Sequence, residues 1–302
     1  MNRRLLEEAA RRCRVAPGKP LDLADHPADW LPVEPRDEAH KDDMKEEAED
    51  LLKESRAALA DAQDLLHAAD SRALLVILQG LDAAGKDGIV RHVMDGVNPM
   101  GCEVHSFKAP SDEELDHDFL WRAAKRLPER GKIGIFNRSY YEEVLVVRVH
   151  PQFLEKQRLP PLPPGLDLWQ ERFRSIRDFE RHLALNGTTV RKFYLNVSLA
   201  EQRRRLIDRL DEPKKFWKFN LGDSEERAHR ADYDRVYAEA LAATSTEAAP
   251  WYVIPADRKW FARALVAQVL CETVAAMDLA WPQPDAKDRA EMAEARRILE
   301  AD

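Results

Sequence analysis

The stretch that decides the fold spans residues 73–88 and reads Ala73-Leu74-Leu75-Val76-Ile77-Leu78-Gln79-Gly80-Leu81-Asp82-Ala83-Ala84-Gly85-Lys86-Asp87-Gly88. An apolar run suited to a buried strand ends at Gly80, and a helix-compatible run begins after Lys86. Glycines let several backbone N–H groups converge on one anion, and the N-terminus of the next helix adds positive charge there. The pattern predicts a phosphate-binding P-loop with Lys86 as a mobile cation. The alternative is a glycine-rich turn that only joins a strand to a helix.

Two acidic residues distinguish this loop from an ordinary P-loop. Asp87 stands after the lysine, where a loop that binds nucleoside triphosphates has a Ser or Thr whose hydroxyl holds Mg²⁺. Asp82 lies inside the loop, where it would repel phosphates unless a metal ion lies between them. The loop therefore predicts metal binding by Asp82 itself.

Bulk composition describes an ordinary soluble chain. It has 302 residues, 44% hydrophobic residues and a formal net charge of −8, which argues against a general nucleic-acid binder. No window approaches the roughly 20 apolar residues of a membrane span, and the charged N-terminus does not read as a secretory signal. The three cysteines are far apart and suggest neither a disulfide framework nor a zinc site. We expect a cytoplasmic protein without membrane or nucleic-acid partners.

Strand and helix patterns alternate along the chain. We predict strands at 73–79, 101–107, 132–137, 188–197 and 251–254, and helices at 37–69, 112–128, 168–185, 199–210, 224–243 and 259–277. This order predicts an α/β fold: a parallel sheet with helices on both faces and a helical lid. The predicted organisation is an N-terminal arm at 1–36, one domain at 37–284 with its lid at about 203–230, and a C-terminal surface helix at 285–302.

Polar residues follow the third predicted strand, at the sheet edge where ligands of parallel α/β proteins bind. Asn137 occupies the place of the acid that in many P-loop proteins reaches Mg²⁺ through water, and Glu142 could restore the negative charge. Arg138 could bind transferring phosphoryl oxygens through paired N–H donors. The alternatives are a capping role for Asn137 and a solvated helix face for Glu142.

A dense group of cations lies in the predicted lid of this otherwise acidic protein. Its members are Arg203, Arg204, Arg205, Arg209, Lys214, Lys215, Lys218, Arg227 and Arg230. A string of cations suits a long polyanion better than one compact triphosphate, and Arg191 on the fourth strand could extend it. The alternative is a set of solvated helix faces balanced by neighbouring acids.

Aromatic residues interleave with a cation at Phe216-Trp217-Lys218-Phe219 in the lid. Such a segment could stack a nucleobase or could pack the lid onto the core, and the pattern favours packing.

Taken together, these features resemble the polyphosphate kinase 2 family. The matching motifs lie at Gly80–Gly88, 113–122, 136–142, the basic lid through Lys218, and 249–260, so that the resemblance covers about residues 38–278. It implies a P-loop kinase fold like that of thymidylate kinase. It also implies Mg²⁺-dependent phosphoryl transfer between inorganic polyphosphate and nucleotides, with Mn²⁺ as a possible substitute.

The resemblance also implies roles for individual residues. Asp82, Lys86 and Arg138 are the expected catalytic residues, and Asp82, Asn137 and Glu142 the expected metal ligands. The expected phosphate-binding residues are Gly80, Ala83, Ala84, Gly85, Lys86, Asp87, Gly88, Arg191, Arg204, Lys214, Lys215 and Lys218.

Asn137 together with Glu142 resembles class III of the family, which accepts nucleoside monophosphates and diphosphates. We expect AMP and ADP as acceptors, GMP and GDP as further ones, and a homo-oligomer, either a dimer or a tetramer. An ATP-dependent nucleoside monophosphate kinase is the main alternative, and a non-enzymatic scaffold is the other.

Overall fold

The computed structural model describes residues 1–301 and contains, within that range, one parallel sheet of five strands. The strands are β1 (Ala73–Gln79), β2 (Cys102–Ser106), β3 (Ile133–Asn137), β4 (Thr188–Asn196) and β5 (Trp251–Pro255). Their spatial order is β2-β3-β1-β4-β5, and every neighbouring pair is parallel. The P-loop strand β1 therefore lies at the centre, and the loops after β1, β3 and β4 emerge at one edge.

The helices follow the alternation predicted from the sequence. The α-helices are α1 (Arg3–Cys13), α2 (Glu38–Ala69), α3 (Lys86–Val93), α4 (Asp112–Leu115), α5 (Trp121–Ala124), α6 (Val146–Val149), α7 (Gln152–Glu155), α8 (Leu168–Leu185), α9 (Leu199–Asp211), α10 (Leu221–Glu225), α11 (Arg230–Thr244), α12 (Lys259–Ala275) and α13 (Ala286–Leu299). Short 3₁₀ helices span Leu23–Asp25, Pro99–Gly101, Tyr140–Val144, Pro213–Lys218 and Glu226–His229.

The side chains of β1 explain the layered core. All seven residues of this strand are buried, and alternate residues point to opposite faces. Leu74, Val76 and Leu78 join the core formed with α1, α2, α3 and α12. Leu75 and Ile77 join the second core, formed with α8 and α11. A continuous apolar run is thus what a central strand covered on both faces requires.

The predicted strands all form, with ends that differ from the predictions by at most two residues. The long helix α2 begins where predicted, because the Asp37 side chain accepts a hydrogen bond of 2.8 Å from the His40 backbone N–H. Helix α8 has the predicted bounds of 168–185.

The single helix predicted over 112–128 is wrong. Ser111 starts a helix with a capping box, as expected, but α4 ends at Leu115. The Asp118 carboxylate then accepts a 2.9 Å hydrogen bond from the Leu120 N–H, and α5 starts after it. Short acidic side chains that bond nearby backbone compete with helix continuation, which is why the segment breaks in two.

The lid region is more ordered than its sequence suggests. No helix or strand is predicted for residues 211–223, yet the segment 211–230 contains α10 and two 3₁₀ helices, and α11 begins at Arg230 rather than at 224. At the C-terminus, every described residue of α13 is exposed. At the N-terminus, α1 buries Leu6, Ala9, Ala10 and Cys13 in the core that includes α12. The proposed domain boundaries stay a prediction.

Two findings concern the bulk properties of the chain. Across residues 1–301, no helix is both long and apolar enough to cross a membrane. Cys13, Cys102 and Cys271 are free thiols.

Candidate active site

The backbone of the P-loop depends on close packing against β4. Gly80 has φ +154°, and a Cβ placed there would lie 2.9 Å from the carbonyl oxygen of Leu195. Gly85, with φ +112°, precedes the first residue of α3. Such backbone conformations suit glycine. The loop can therefore direct its N–H groups at one point only because these two positions lack side chains.

Lys86 is buried beneath this loop. Its Nζ donates hydrogen bonds to the carbonyl oxygens of Gly80 at 2.6 Å and Leu81 at 3.2 Å. Burial first and the Arg138 guanidinium second lower the pKa of Lys86 to about 8, although the Asp82, Glu142 and Asp87 carboxylates oppose the shift. The ammonium thus binds backbone oxygens and lies close enough to Asp82, Asp87, Arg138 and Glu142 to interact with their charges.

Arg138 brings the two predicted acids together. It follows β3 with φ +63°, and its Nη2 lies 2.5 Å from Asp82 Oδ1 while its Nη1 lies 3.2 Å from Glu142 Oε2. Burial lowers the pKa of Arg138, but the Glu142 and Asp82 carboxylates outweigh it and raise the pKa above the ordinary value. A positive φ at a non-glycine residue is costly, and such strain clusters at functional sites. Glu142 lies in the 3₁₀ helix Tyr140–Val144 rather than on an α-helix.

Asp87 connects the P-loop helix to β3 and to the lid. Its carboxylate accepts hydrogen bonds of 2.9 Å from Asn137 Nδ2 and 3.1 Å from Lys218 Nζ. Burial raises the pKa of Asp87, but the hydrogen bonds from Asn137 and Lys218 outweigh it and leave the pKa below its ordinary value. Asn137 and Lys218 therefore both reach the loop, through an acid where a hydroxyl is usual.

Other predicted cations do not reach the loop in this structure. Arg204 is exposed and pairs with Glu201 and Asp208 on its own helix. Lys215 pairs with Glu212. Lys214 lies in the same exposed segment of the lid. Their role in phosphate binding stays a prediction.

The structure does not bring Arg191 to the loop, and its role in phosphate binding stays a prediction. Its partner across the sheet is Val76, in the middle of β1, so it lies well before the edge where the loops meet. The Arg191 Nε donates a 2.9 Å hydrogen bond to Thr273 Oγ1 on α12. The sequence pattern predicted that Arg191 lies on the fourth strand, but not how far along that strand it lies from the edge where the loops meet.

Sequence reasoning missed the principal contacts between α9 and the P-loop. Arg205 donates to the carbonyl oxygens of Ala83 at 3.1 Å and Ala84 at 2.8 Å, and also to that of Ala256 at 2.5 Å. Gln202 donates to the backbone oxygen of Asp82 at 3.0 Å. The two residues are three apart, so they share a helix face, and that spacing was the available signal.

A pocket lies between the P-loop and the lid. Its lining includes Asp82, Arg138 and Glu142 on one side and Arg227 and Arg230 on the other. The pocket is therefore lined by both acidic and basic side chains. Such a lining suits an anion that binds together with a metal cation.

A third acid faces this site from the lid. Asp223, 2.6 Å from Arg209, has its pKa raised first by burial and then by the Asp82 carboxylate. Asp223 is therefore close enough to Asp82 for their negative charges to interact. No sequence pattern indicated this proximity.

The donor set fits an open magnesium site. Asp82 and Glu142 flank one guanidinium, so their carboxylates converge. Within residues 1–301, His, Cys, Asp and Glu side chains form no group of three or more able to hold a metal. Mg²⁺ commonly binds one or two carboxylates and takes its remaining oxygens from water and substrate phosphates. The arrangement therefore fits a metal that binds together with a phosphate substrate.

Comparison with known proteins assigns the chain to a family. The family model "Polyphosphate kinase 2 (PPK2)" matches residues 41–282. The chain belongs to the polyphosphate kinase 2 family. The resemblance inferred from the sequence and the predicted α/β fold are confirmed.

Relatives cover nearly the whole chain. An ADP-polyphosphate phosphotransferase of Rhodopseudomonas palustris is 47% identical over 287 residues, 95% of this chain and 96% of that protein. An AMP/ADP-polyphosphate phosphotransferase of Meiothermus ruber is 45% identical over 252 residues, 83% of this chain and 90% of the relative. The crystal structure of polyphosphate kinase 2 from Arthrobacter aurescens TC1 has a TM-score of 0.81 and 40% identity, with 96% of each chain covered. This polyphosphate kinase 2 chain therefore shares both sequence and fold with them.

Proposed function

We propose that this protein transfers a phosphoryl group reversibly from inorganic polyphosphate to AMP and ADP, and to GMP and GDP. The observation that carries the proposal is the convergence of Lys86, Arg138 and Asp82 on one loop edge, beside Glu142. The names of the relatives from R. palustris and M. ruber support polyphosphate, AMP and ADP as substrates.

The chemistry requires alignment and charge neutralisation more than a strong base. The attacking group is a terminal phosphate oxygen of the nucleotide, already anionic at neutral pH. Lys86 would leave its backbone partners to bind phosphate, and Arg138 would bind the oxygens of the transferred group. Arg205 and Gln202 hold the loop that carries Asp82 and leads into Lys86.

We propose Asp82 and Glu142 as the carboxylates that hold Mg²⁺, with Mn²⁺ as a substitute. The metal would neutralise charge where the two phosphate chains meet. The Asn137 amide nitrogen donates a hydrogen bond to Asp87, which leaves its amide oxygen as a candidate metal ligand.

Asn137 and Glu142 also support assignment to class III. An amide at the end of β3 removes one negative charge beside the incoming acceptor, and Glu142 supplies a carboxylate from another position. We therefore expect transfer to both AMP and ADP, and the name of the M. ruber relative agrees with that breadth.

One assay tests the activity. Purified protein is incubated with Mg²⁺, long-chain polyphosphate and AMP or ADP, without ATP. Formation of ADP and ATP is expected, and parallel reactions with GMP and GDP test the breadth of acceptors. Transfer only from ATP would support a nucleoside monophosphate kinase, and no transfer from any donor would support a scaffold. Lys86→Ala should abolish transfer, since the buried ammonium has no substitute among its contacts.

The assembly and location of the protein remain proposals. We expect a cytoplasmic homo-oligomer, a dimer or a tetramer, with no nucleic-acid or membrane partner. Light scattering coupled to size-exclusion chromatography measures the mass directly, and a monomer would contradict the expectation.

A further inference from the structure

The lid exposes a group of aromatic side chains that the packing interpretation does not explain. Phe216 is 52% exposed, Trp217 77% and Phe219 54%. We call these three residues the aromatic rim. The sequence favoured packing of this segment onto the core, but the rim lies against solvent instead. An exposed tryptophan carries a large apolar surface that usually serves binding.

The segment that carries the rim is anchored to its surroundings. The indole Nε1 of Trp217 donates a 3.1 Å hydrogen bond to the carbonyl oxygen of Lys214. The Phe219 N–H bonds the Phe216 carbonyl at 3.0 Å, and Arg209 on α9 pairs with Asp223 just beyond. The indole is thus held by one hydrogen bond while most of its surface faces solvent.

The rim also lies beside the phosphate-binding loop. Lys218 Nζ is 3.1 Å from Asp87 Oδ2 and 4.9 Å from the centroid of the Trp217 ring. One ammonium therefore links the tryptophan to the first turn of α3. A nucleotide whose phosphates bind at the P-loop would extend its base away from the loop, and Lys218 places Trp217 on the lid beside that loop.

We propose that Trp217 is a stacking platform for the nucleobase of the acceptor nucleotide. The inference rests on the proposed function, and it adds the part of the site that recognises the base. Polyphosphate has no aromatic ring and cannot stack on an indole. Every nucleobase has an aromatic face that can. Stacking is tolerant of base identity, so the platform would allow the proposed acceptance of both adenine and guanine nucleotides. Phe216 and Phe219 complete the apolar surroundings.

Binding of ADP in the presence of Mg²⁺, measured by calorimetry without polyphosphate, tests the platform. Trp217→Ala should raise the Kd for ADP roughly tenfold, and Trp217→Phe should raise it less. The matched control is Trp281→Ala, since Trp281 is 57% exposed but lies between α12 and α13, and the Kd should not change. The KM for polyphosphate should be the same in all three variants.

Several results would overturn the proposal. These are an unchanged Kd for ADP in Trp217→Ala, a KM for polyphosphate that rises as much as the Kd, or a change in oligomeric mass with an unchanged Kd. The last result would identify the rim as an interface between copies of the chain. Binding of ADP without transfer from polyphosphate would refute the proposed function and still test the platform.

A measurement on the unaltered protein covers the case in which Trp217→Ala does not fold. In protein labelled with 5-fluorotryptophan, the ¹⁹F resonance missing from the Trp217→Phe spectrum belongs to Trp217. That resonance should shift on addition of ADP and not on addition of tripolyphosphate. A resonance that does not shift with ADP, or that shifts equally with ADP and tripolyphosphate, would contradict stacking.

Discussion

Arg138 Nη2 lies 2.5 Å from Asp82 Oδ1, which joins the residue after β3 to the acid inside the P-loop. The contact pairs opposite charges within the proposed site. Asp82 neutralises the arginine that would bind phosphate, and a metal ion would compete with Arg138 for the same carboxylate. Binding of metal and phosphate together would separate the pair and free each group for its task.

Asp82→Asn should reduce ATP formation from ADP and polyphosphate by at least about 100-fold, because the loop loses the carboxylate proposed to hold Mg²⁺. The fold should persist, since the Asp82 side chain is partly exposed. Asp95→Asn is the matched control, because Asp95 is an exposed acid paired with Arg56 away from the loop. Near wild-type transfer by Asp82→Asn would contradict the site assignment.

The pH profile should show the titration of Lys86. Its pKa of about 8 means that the ligand-free protein loses this positive charge as the pH rises through 8. Substrate phosphates are already fully ionised there, so kcat/KM should fall above pH 8 because phosphate binding weakens.

The variant Lys86→Arg provides the control, since a guanidinium stays protonated. Its activity should be lower, but the fall near pH 8 should disappear. An unchanged fall in Lys86→Arg would assign the titration to another group.

Two adjacent arginines should differ in their effect. Arg205→Ala should lower kcat/KM by about 10- to 100-fold and reduce the melting temperature, because two P-loop carbonyls and two carbonyls after β5 lose their donor. Arg204→Ala, its exposed neighbour, should change the KM for polyphosphate by only a few fold. Steady-state kinetics and thermal melts of the two variants measure the difference, and equal effects would contradict the role of Arg205 in holding the P-loop.

Gly80→Ala should abolish transfer. A methyl group there would lie 2.9 Å from a backbone oxygen on β4, so the loop must move away from the strand. Gly165→Ala is a suitable control, because Gly165 also has a positive φ of +86° but has open space around its Cβ position. Kinetics and circular dichroism of the two variants separate the clash from the cost of the backbone conformation. Similar activity of both would mean that the contact does not matter.

A buried ion pair should control stability. Lys192 Nζ lies 2.5 Å from Glu180 Oε2, both side chains are inaccessible to solvent, and Tyr140 and Tyr141 both donate to the same carboxylate. Lys192→Met should lower the free energy of unfolding by about 3–5 kcal/mol, since it leaves a buried carboxylate without its cation.

Adding Glu180→Gln to this variant removes the unpaired charge and keeps an oxygen for both tyrosine hydroxyls. Denaturant unfolding should then show a gain of at least about 1 kcal/mol over Lys192→Met alone. A double variant no more stable than the single one would show that the charge is not the cause.

The sequence by itself determined the central strand, the P-loop and the order of elements, because each is encoded locally. An unbroken apolar run requires a strand covered on both faces, and glycines at fixed spacing require the loop. For the same reason the motifs identified the family, and Asp82, Lys86 and Arg138 could be named together before any contact was known.

Only the tertiary structure decided which side chains meet. Arg191 and Arg205 are both cations on predicted elements, yet one reaches α12 and the other the loop. The difference depends on the register of β4 and on the rotation of α9, which are set by packing of the whole core. Exposure of Trp217 is likewise a property of how the lid packs, because the same residues could have faced the core. Local pattern gives the residues of a site, and long-range packing gives their partners.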